Sequence, residues 1–83
     1  MQIQVKYFAA IREALSVSVE TVQTRATTLG GLRDELIASS DAHAQALARG
    51  KAVRVALNQV MQDETAALSE GCEVAFFPPV TGG

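Results

Sequence analysis

This 83-residue sequence predicts an α+β fold built as one small domain, on three observations. Two stretches near the N-terminus alternate apolar and polar residues, a central stretch repeats its leucines at helical spacing, and further alternating stretches close the chain. One main helix laid across a face of a small mixed sheet would bury every apolar stripe so defined.

The first alternation covers residues 2–8, with Ile3, Val5 and Tyr7 on one face and Gln4, Lys6 and Phe8 on the other, the pattern of a half-buried strand. Residues 9–15 can hold a single helical turn before residues 17–22 alternate again through Val17 and Val19. Thr27 or Thr28 can cap a helix over residues 28–39, whose Leu29, Leu32, Leu36 and Ile37 fall on one stripe. The Gly30-Gly31 pair in its first turn works against that helix, since each glycine costs about 1 kcal/mol relative to alanine. Residues 41–49 are alanine-rich and predict a short second helix stopped at Gly50 in the left-handed conformation. Val53, Val55 and Leu57 then alternate with Arg54, Ala56 and Asn58, and Val60-Met61 follows as a brief edge strand. After a short apolar turn at residues 66–68, Ser69-Glu70-Gly71 turns into a last strand over 73–77, which Pro78 ends because it has no N–H for a sheet ladder. The order, ββα and then ββ with short helical pieces, makes the β-grasp the leading architecture. Residues 1–77 form the domain and 78–83 a projecting tail.

Composition narrows the function. Seven basic and nine acidic residues give a net charge of -2, and the basic positions are scattered, so a nucleic-acid partner is not expected. The single cysteine, Cys72, can form no intramolecular disulfide and no secretory segment precedes the first strand, which points to a reducing cytoplasm. No apolar run approaches the roughly 20 residues needed to span a bilayer, so no membrane partner is expected. A domain this small buries only roughly 60–65% of its unfolded surface, leaving little room for the deep cleft of a self-contained enzyme.

The chemistry therefore concentrates in Pro78-Pro79-Val80-Thr81-Gly82-Gly83. Six extended residues reach roughly 20 Å, enough to enter a cleft on another protein. The prolines pre-set an extended course and reduce the entropy lost on docking, while glycines without Cβ atoms pass a narrow channel. A free carboxylate at Gly83 is inert until another enzyme adenylates it with ATP, after which sulfur can replace the leaving group to give a thiocarboxylate. A terminal Gly-Gly taken alone is more often a frayed end. Following directly on a strand and a stiff Pro-Pro root, in a domain with few other reactive groups, it reads as functional.

The run Glu73-Val74-Ala75-Phe76-Phe77-Pro78-Pro79-Val80-Thr81-Gly82-Gly83 resembles the C-terminus of the molybdopterin synthase small subunit family. Tyr7-Phe8-Ala9, Arg12-Glu13 and Leu57-Asn58-Gln59 extend the resemblance over most of the chain, although Cys72 stands where the family usually has an acidic residue. The resemblance implies a β-grasp, ubiquitin-like sulfur carrier with Gly83 charged as a thiocarboxylate by a ubiquitin-activating-like adenylyltransferase. A desulfurase system would supply the sulfur, and the tail would enter the large synthase subunit, which holds the catalytic pocket. Sulfur would pass to cyclic pyranopterin monophosphate to build the dithiolene of molybdopterin, in a heterotetramer. No metal and no bound cofactor are expected on this chain.

Phe8 and Phe77 fall out of phase with the apolar stripes of their strands, and Met61 is out of phase with Val60. Together with Pro78, Pro79, Val80 and Thr81 they make a candidate partner-binding surface at the root of the tail. His43 has no second ligand at metal-binding spacing and takes no role, and Cys72 reads as a small, partly buried residue. Arg12, Lys51 and Arg54 can contact acidic surfaces of partners, although isolated charges on a small domain are mostly solvating, and they take no assigned role. Two alternatives stand: a carrier for thiamine or tRNA thiolation, whose tail usually lacks Phe-Phe-Pro-Pro, and a non-catalytic ubiquitin-like interaction module.

Overall fold

A computed structural model describes residues 1–79. Strands β1 (Gln2–Tyr7), β2 (Val19–Gln23), β3 (Arg54–Leu57), β4 (Val60–Gln62) and β5 (Glu73–Phe77) form one five-stranded sheet in the order β2-β1-β5-β3-β4. The two central strands, β1 and β5, run parallel, and every other pairing is antiparallel. Helices α1 (Ala9–Leu15), α2 (Leu29–Ser39) and α3 (Asp41–Ala46) supply the second layer.

The alternation in β1 sets the core. Ile3, Val5 and Tyr7 are buried on one face and meet Val74 and Phe76 of β5 and Val55 of β3. Leu29, Leu32 and Leu36 of α2 close over them, with Ile11 of α1 and Leu47 after α3 filling the flank. Thr28 caps α2 as expected, its Oγ1 accepting from Gly31 N at 3.1 Å.

Several boundaries differ from the sequence reading, each for a physical reason. The first strand stops at Tyr7, because the Phe8 carbonyl turns to accept from Ile11 N and Arg12 N and opens α1, so Phe8 is a helix cap. The connector is a seven-residue helix, longer than one turn. Strand β2 begins at Val19, which pairs with Lys6 and therefore shares the face opposite the core, leaving it exposed. Val22 opposite Ile3 takes the core-facing position. Helix α3 ends at Ala46, with Leu47 N bonded to His43 O, and Gly50 lies beyond the helix with no left-handed φ.

The Gly30-Gly31 pair also has an explanation. Gly30 N donates to Glu64 O at 2.9 Å, and a Cβ at Gly30 would stand 3.1–3.3 Å from Glu64 atoms. The helix start gives up propensity so that the 63–66 segment can approach its backbone. The same region holds Arg33, buried on α2. Its guanidinium donates to the carbonyls of Leu47, Ala48 and Lys51 and to Glu64, leaving no buried side-chain polar atom unpaired among the described residues. Arg49 reaches Glu64, Asp34 and Gly30 O from the outside.

Candidate docking face and tail root

Cross-strand register decides which residues share the sheet face that the helices leave open. Lys6 pairs with Ala75, Ala75 with Ala56, and Ala56 with Met61, so these four form one row. Arg54 pairs with Phe77 in the next row. Phe8 joins them because its N–H still reaches Phe76 O at 3.2 Å while its ring stacks on Phe77, centroids 4.7 Å apart and 8° from parallel. Ala56 and Ala75 are buried, whereas Met61 is 49% and Phe8 37% exposed.

The result is a groove of about 380 Å³ lined by Phe8, Ala9, Arg54, Met61, Phe77, Pro78 and Pro79. Ala9 in its wall has φ 53, a left-handed backbone costing about 1–2 kcal/mol in a residue with a Cβ. Such strain concentrates at sites that need a fixed shape. The hairpin carrying Met61 is held by its turn: Asn58 and Gln59 have φ 50 and 71, the left-handed pair of a two-residue hairpin loop. The Asn58 side-chain oxygen accepts from Glu73 N at 2.9 Å, and the Asn58 backbone N–H donates to Glu73 O at 2.8 Å. This fixes β4 relative to β5, and with it Met61 relative to Phe77.

Pro78 is half-buried and Pro79 exposed. On their other side the two prolines close a small apolar cavity of about 100 Å³ with Ala10, Ile11, Ala14, Ala46, Lys51 and Val53, so the root of the tail is seated against α1. The sequence-predicted residues Phe8, Met61, Phe77, Pro78 and Pro79 thus come together along one groove. Val80, Thr81, Gly82 and Gly83 lie outside the described residues.

Charge on this face is sparse. Lys6 pairs with Glu73 at 3.2 Å, while Arg54 is exposed and no acidic side chain reaches it among the described residues. On the helix side, Tyr7 donates its hydroxyl to Glu20 at 2.7 Å, and the same Glu20 oxygen lies 2.9 Å from His43 Nε2. Ser40 closes the chain at His43 Nδ1, 2.6 Å away. Burial opposes ionisation of Glu20, but hydrogen bonds from His43 and Tyr7 and the charge of His43 outweigh it and lower its pKa. Burial, the bond to Glu20 and its charge push Tyr7 well above its ordinary value. This network joins α3 to β1 and β2 on the helix side of the sheet, opposite the face that carries Arg54, Met61 and Phe77, so it supports the scaffold. No cluster of three or more metal-ligating side chains occurs among the described residues. Cys72 is buried at the foot of β5.

Residues 5–83 match the ThiS family. The chain belongs to that family. This ThiS-family chain is 42% identical over 81 residues to the molybdopterin synthase sulfur carrier subunit of Escherichia coli, covering 98% of this chain and 99% of the relative. Among solved structures it is similar to a protein-protein complex of subunits 1 and 2 of molybdopterin-converting factor from Helicobacter pylori, at 26% identity and a TM-score of 0.69, with each chain fully covered. It is also similar to small archaeal modifier protein 1 of H. volcanii, at 26% identity and a TM-score of 0.76, covering 95% of this chain and 98% of that one. The ThiS-family chain has the mixed sheet and crossing helix expected of a β-grasp. None of its described helices is long and apolar enough to cross a membrane.

Proposed function

We propose that this chain is the sulfur-carrier small subunit of a molybdopterin synthase. The observation that carries the reading is the apolar groove at the Phe8–Phe77 stack, which runs onto the seated Pro78-Pro79 root of a tail ending in Gly82-Gly83. A family match reaching residue 83 and full-length similarity to named sulfur carrier subunits support it.

In this reading the groove docks on the large subunit and the rigid root aims the tail into that subunit's pocket. A ubiquitin-activating-like adenylyltransferase uses ATP on the Gly83 carboxylate: an oxygen attacks the α-phosphorus, pyrophosphate leaves, and a sulfur nucleophile then displaces AMP. The thiocarboxylate so formed passes its sulfur to cyclic pyranopterin monophosphate in the cytoplasm. The chain itself binds no cofactor, and a desulfurase system feeds it. Gly82 keeps the approach to the reacting carbon free of side chains.

Complementation tests the reading. In a bacterial strain lacking its own small subunit, the intact chain restores molybdoenzyme activity and a chain lacking Gly83 does not. Restoration by the shortened chain, or rescue only of a thiamine-requiring strain, refutes it.

A further inference from the structure

We propose that Arg54 is a specificity-determining residue of the docking face, selecting a partner surface that places a carboxylate within an apolar patch. The inference rests on the docking reading above and adds the chemistry of the occupant.

Arg54 lines two recesses, the apolar groove with Phe77 and Met61 and also a more polar one of about 570 Å³ that includes Gln62, Asp63 and Glu64. Every acidic side chain near it is already engaged. Glu73 pairs with Lys6, Glu64 with Arg33 and Arg49, and Asp63 accepts from both the N–H and the hydroxyl of Thr65. Arg54 is therefore a guanidinium without an acidic partner on the rise that borders the apolar groove, with Phe77 as its cross-strand neighbour. A partner covering that rise with apolar groups alone would strip water from an unpaired charge, which opposes association. A carboxylate in the partner surface meets the planar fork of arginine with two parallel hydrogen bonds, and the surrounding apolar contacts strengthen that pair. A second copy of this chain is a poor occupant, because pairing the face with itself brings one Arg54 towards the other.

The test measures binding of the full chain to the purified large synthase subunit from the same source, by calorimetry at low and at physiological salt. The chain carries Arg54, Arg54→Met or Arg54→Glu, with unchanged melting temperatures confirming the fold. Arg54→Glu should bind at least about tenfold more weakly than the unaltered chain. Arg54→Met should lose most of the salt dependence that the unaltered chain shows. Binding of Arg54→Glu as tight as that of the unaltered chain, or an equal salt response in Arg54→Met, overturns the proposal while leaving the docking reading intact. Failure of the unaltered chain to bind removes the docking reading and this proposal together. Self-association that Arg54→Glu alters assigns the face to a second copy and likewise overturns it.

Discussion

The rings of Phe8 and Phe77 lie stacked 4.7 Å apart although neither belongs to the buried core. One sits at the cap of α1 and the other ends β5, so the stack joins the two elements between which the tail departs. A half-exposed aromatic pair adds little to folding yet presents a flat apolar surface of fixed shape, the property an interface uses.

Phe77→Ala should therefore separate binding from stability. Loss of the stack and of partial burial costs about 1–2 kcal/mol by urea denaturation. Affinity for the large subunit should fall about a hundredfold or more, about 2.8 kcal/mol and clearly beyond the stability loss. Losses of equal size in both measurements would place Phe77 in the core and contradict its role at the interface.

Arg33 makes the opposite case. Its guanidinium serves three carbonyls and Glu64 from a buried position on α2. Arg33→Met should lose about 3 kcal/mol or more, because the carbonyls and Glu64 are left without their donor. Arg33→Lys should recover little, lacking the fork that spans them. Chemical denaturation of both variants checks this, with docking to the large subunit unchanged at temperatures where they remain folded.

The Tyr7–Glu20–His43 network sets a pH dependence with two limbs. Glu20 has a lowered native pKa, so its contribution is present above the ordinary carboxylate value of 4.5 and is lost as pH falls through the native value. Tyr7 has a raised native pKa, so the folded state keeps a proton that the unfolded chain releases above 10.0, and stability falls with rising pH from there. Glu20→Gln should flatten the acid limb and Tyr7→Phe the alkaline limb. Denaturation midpoints of the three proteins across pH test both signs.

Two glycines should answer alanine differently. At Gly50 nothing lies within 4 Å of a new Cβ and the backbone is not left-handed, so Gly50→Ala should stabilise by about 0.4–1 kcal/mol. At Gly30 the Cβ meets Glu64, including its backbone oxygen at 3.3 Å, while Arg49 holds that side chain from outside. Crowding should cancel the helix-propensity gain of about 1 kcal/mol and leave Gly30→Ala no more stable than the unaltered chain. Melting temperatures of both variants decide it.

Much of the fold was legible because it rests on period. Alternation placed Ile3, Val5, Tyr7, Val74 and Phe76 in the core, and the helical stripe did the same for Leu29, Leu32 and Leu36. Features depending on contacts between distant segments were not legible. Val19 alternates like a core residue, but β2 is an edge strand whose pairing with Lys6 turns it outward. By propensity Gly30 makes a weak helix start, and the reason for it, Glu64 packed against it, lies far along the chain. Arg33 carried a usable signal, since it falls four residues after Leu29 and three before Leu36 on the buried stripe, where a charge must find partners. At the docking face, the out-of-phase positions of Phe8, Met61 and Phe77 singled out the residues, but not their stacking or the place of Arg54 beside them.

As a sulfur carrier, the chain would have Gly83 become the sulfur donor once a partner has activated it. Intact-mass measurement after incubation of the full chain with ATP, a sulfur source and the cognate adenylyltransferase tests it most directly. The expected spectrum shows exchange of one oxygen for sulfur, dependent on ATP and absent from a chain lacking Gly83. An unchanged mass with an active adenylyltransferase, or the same exchange in the chain without Gly83, would contradict it.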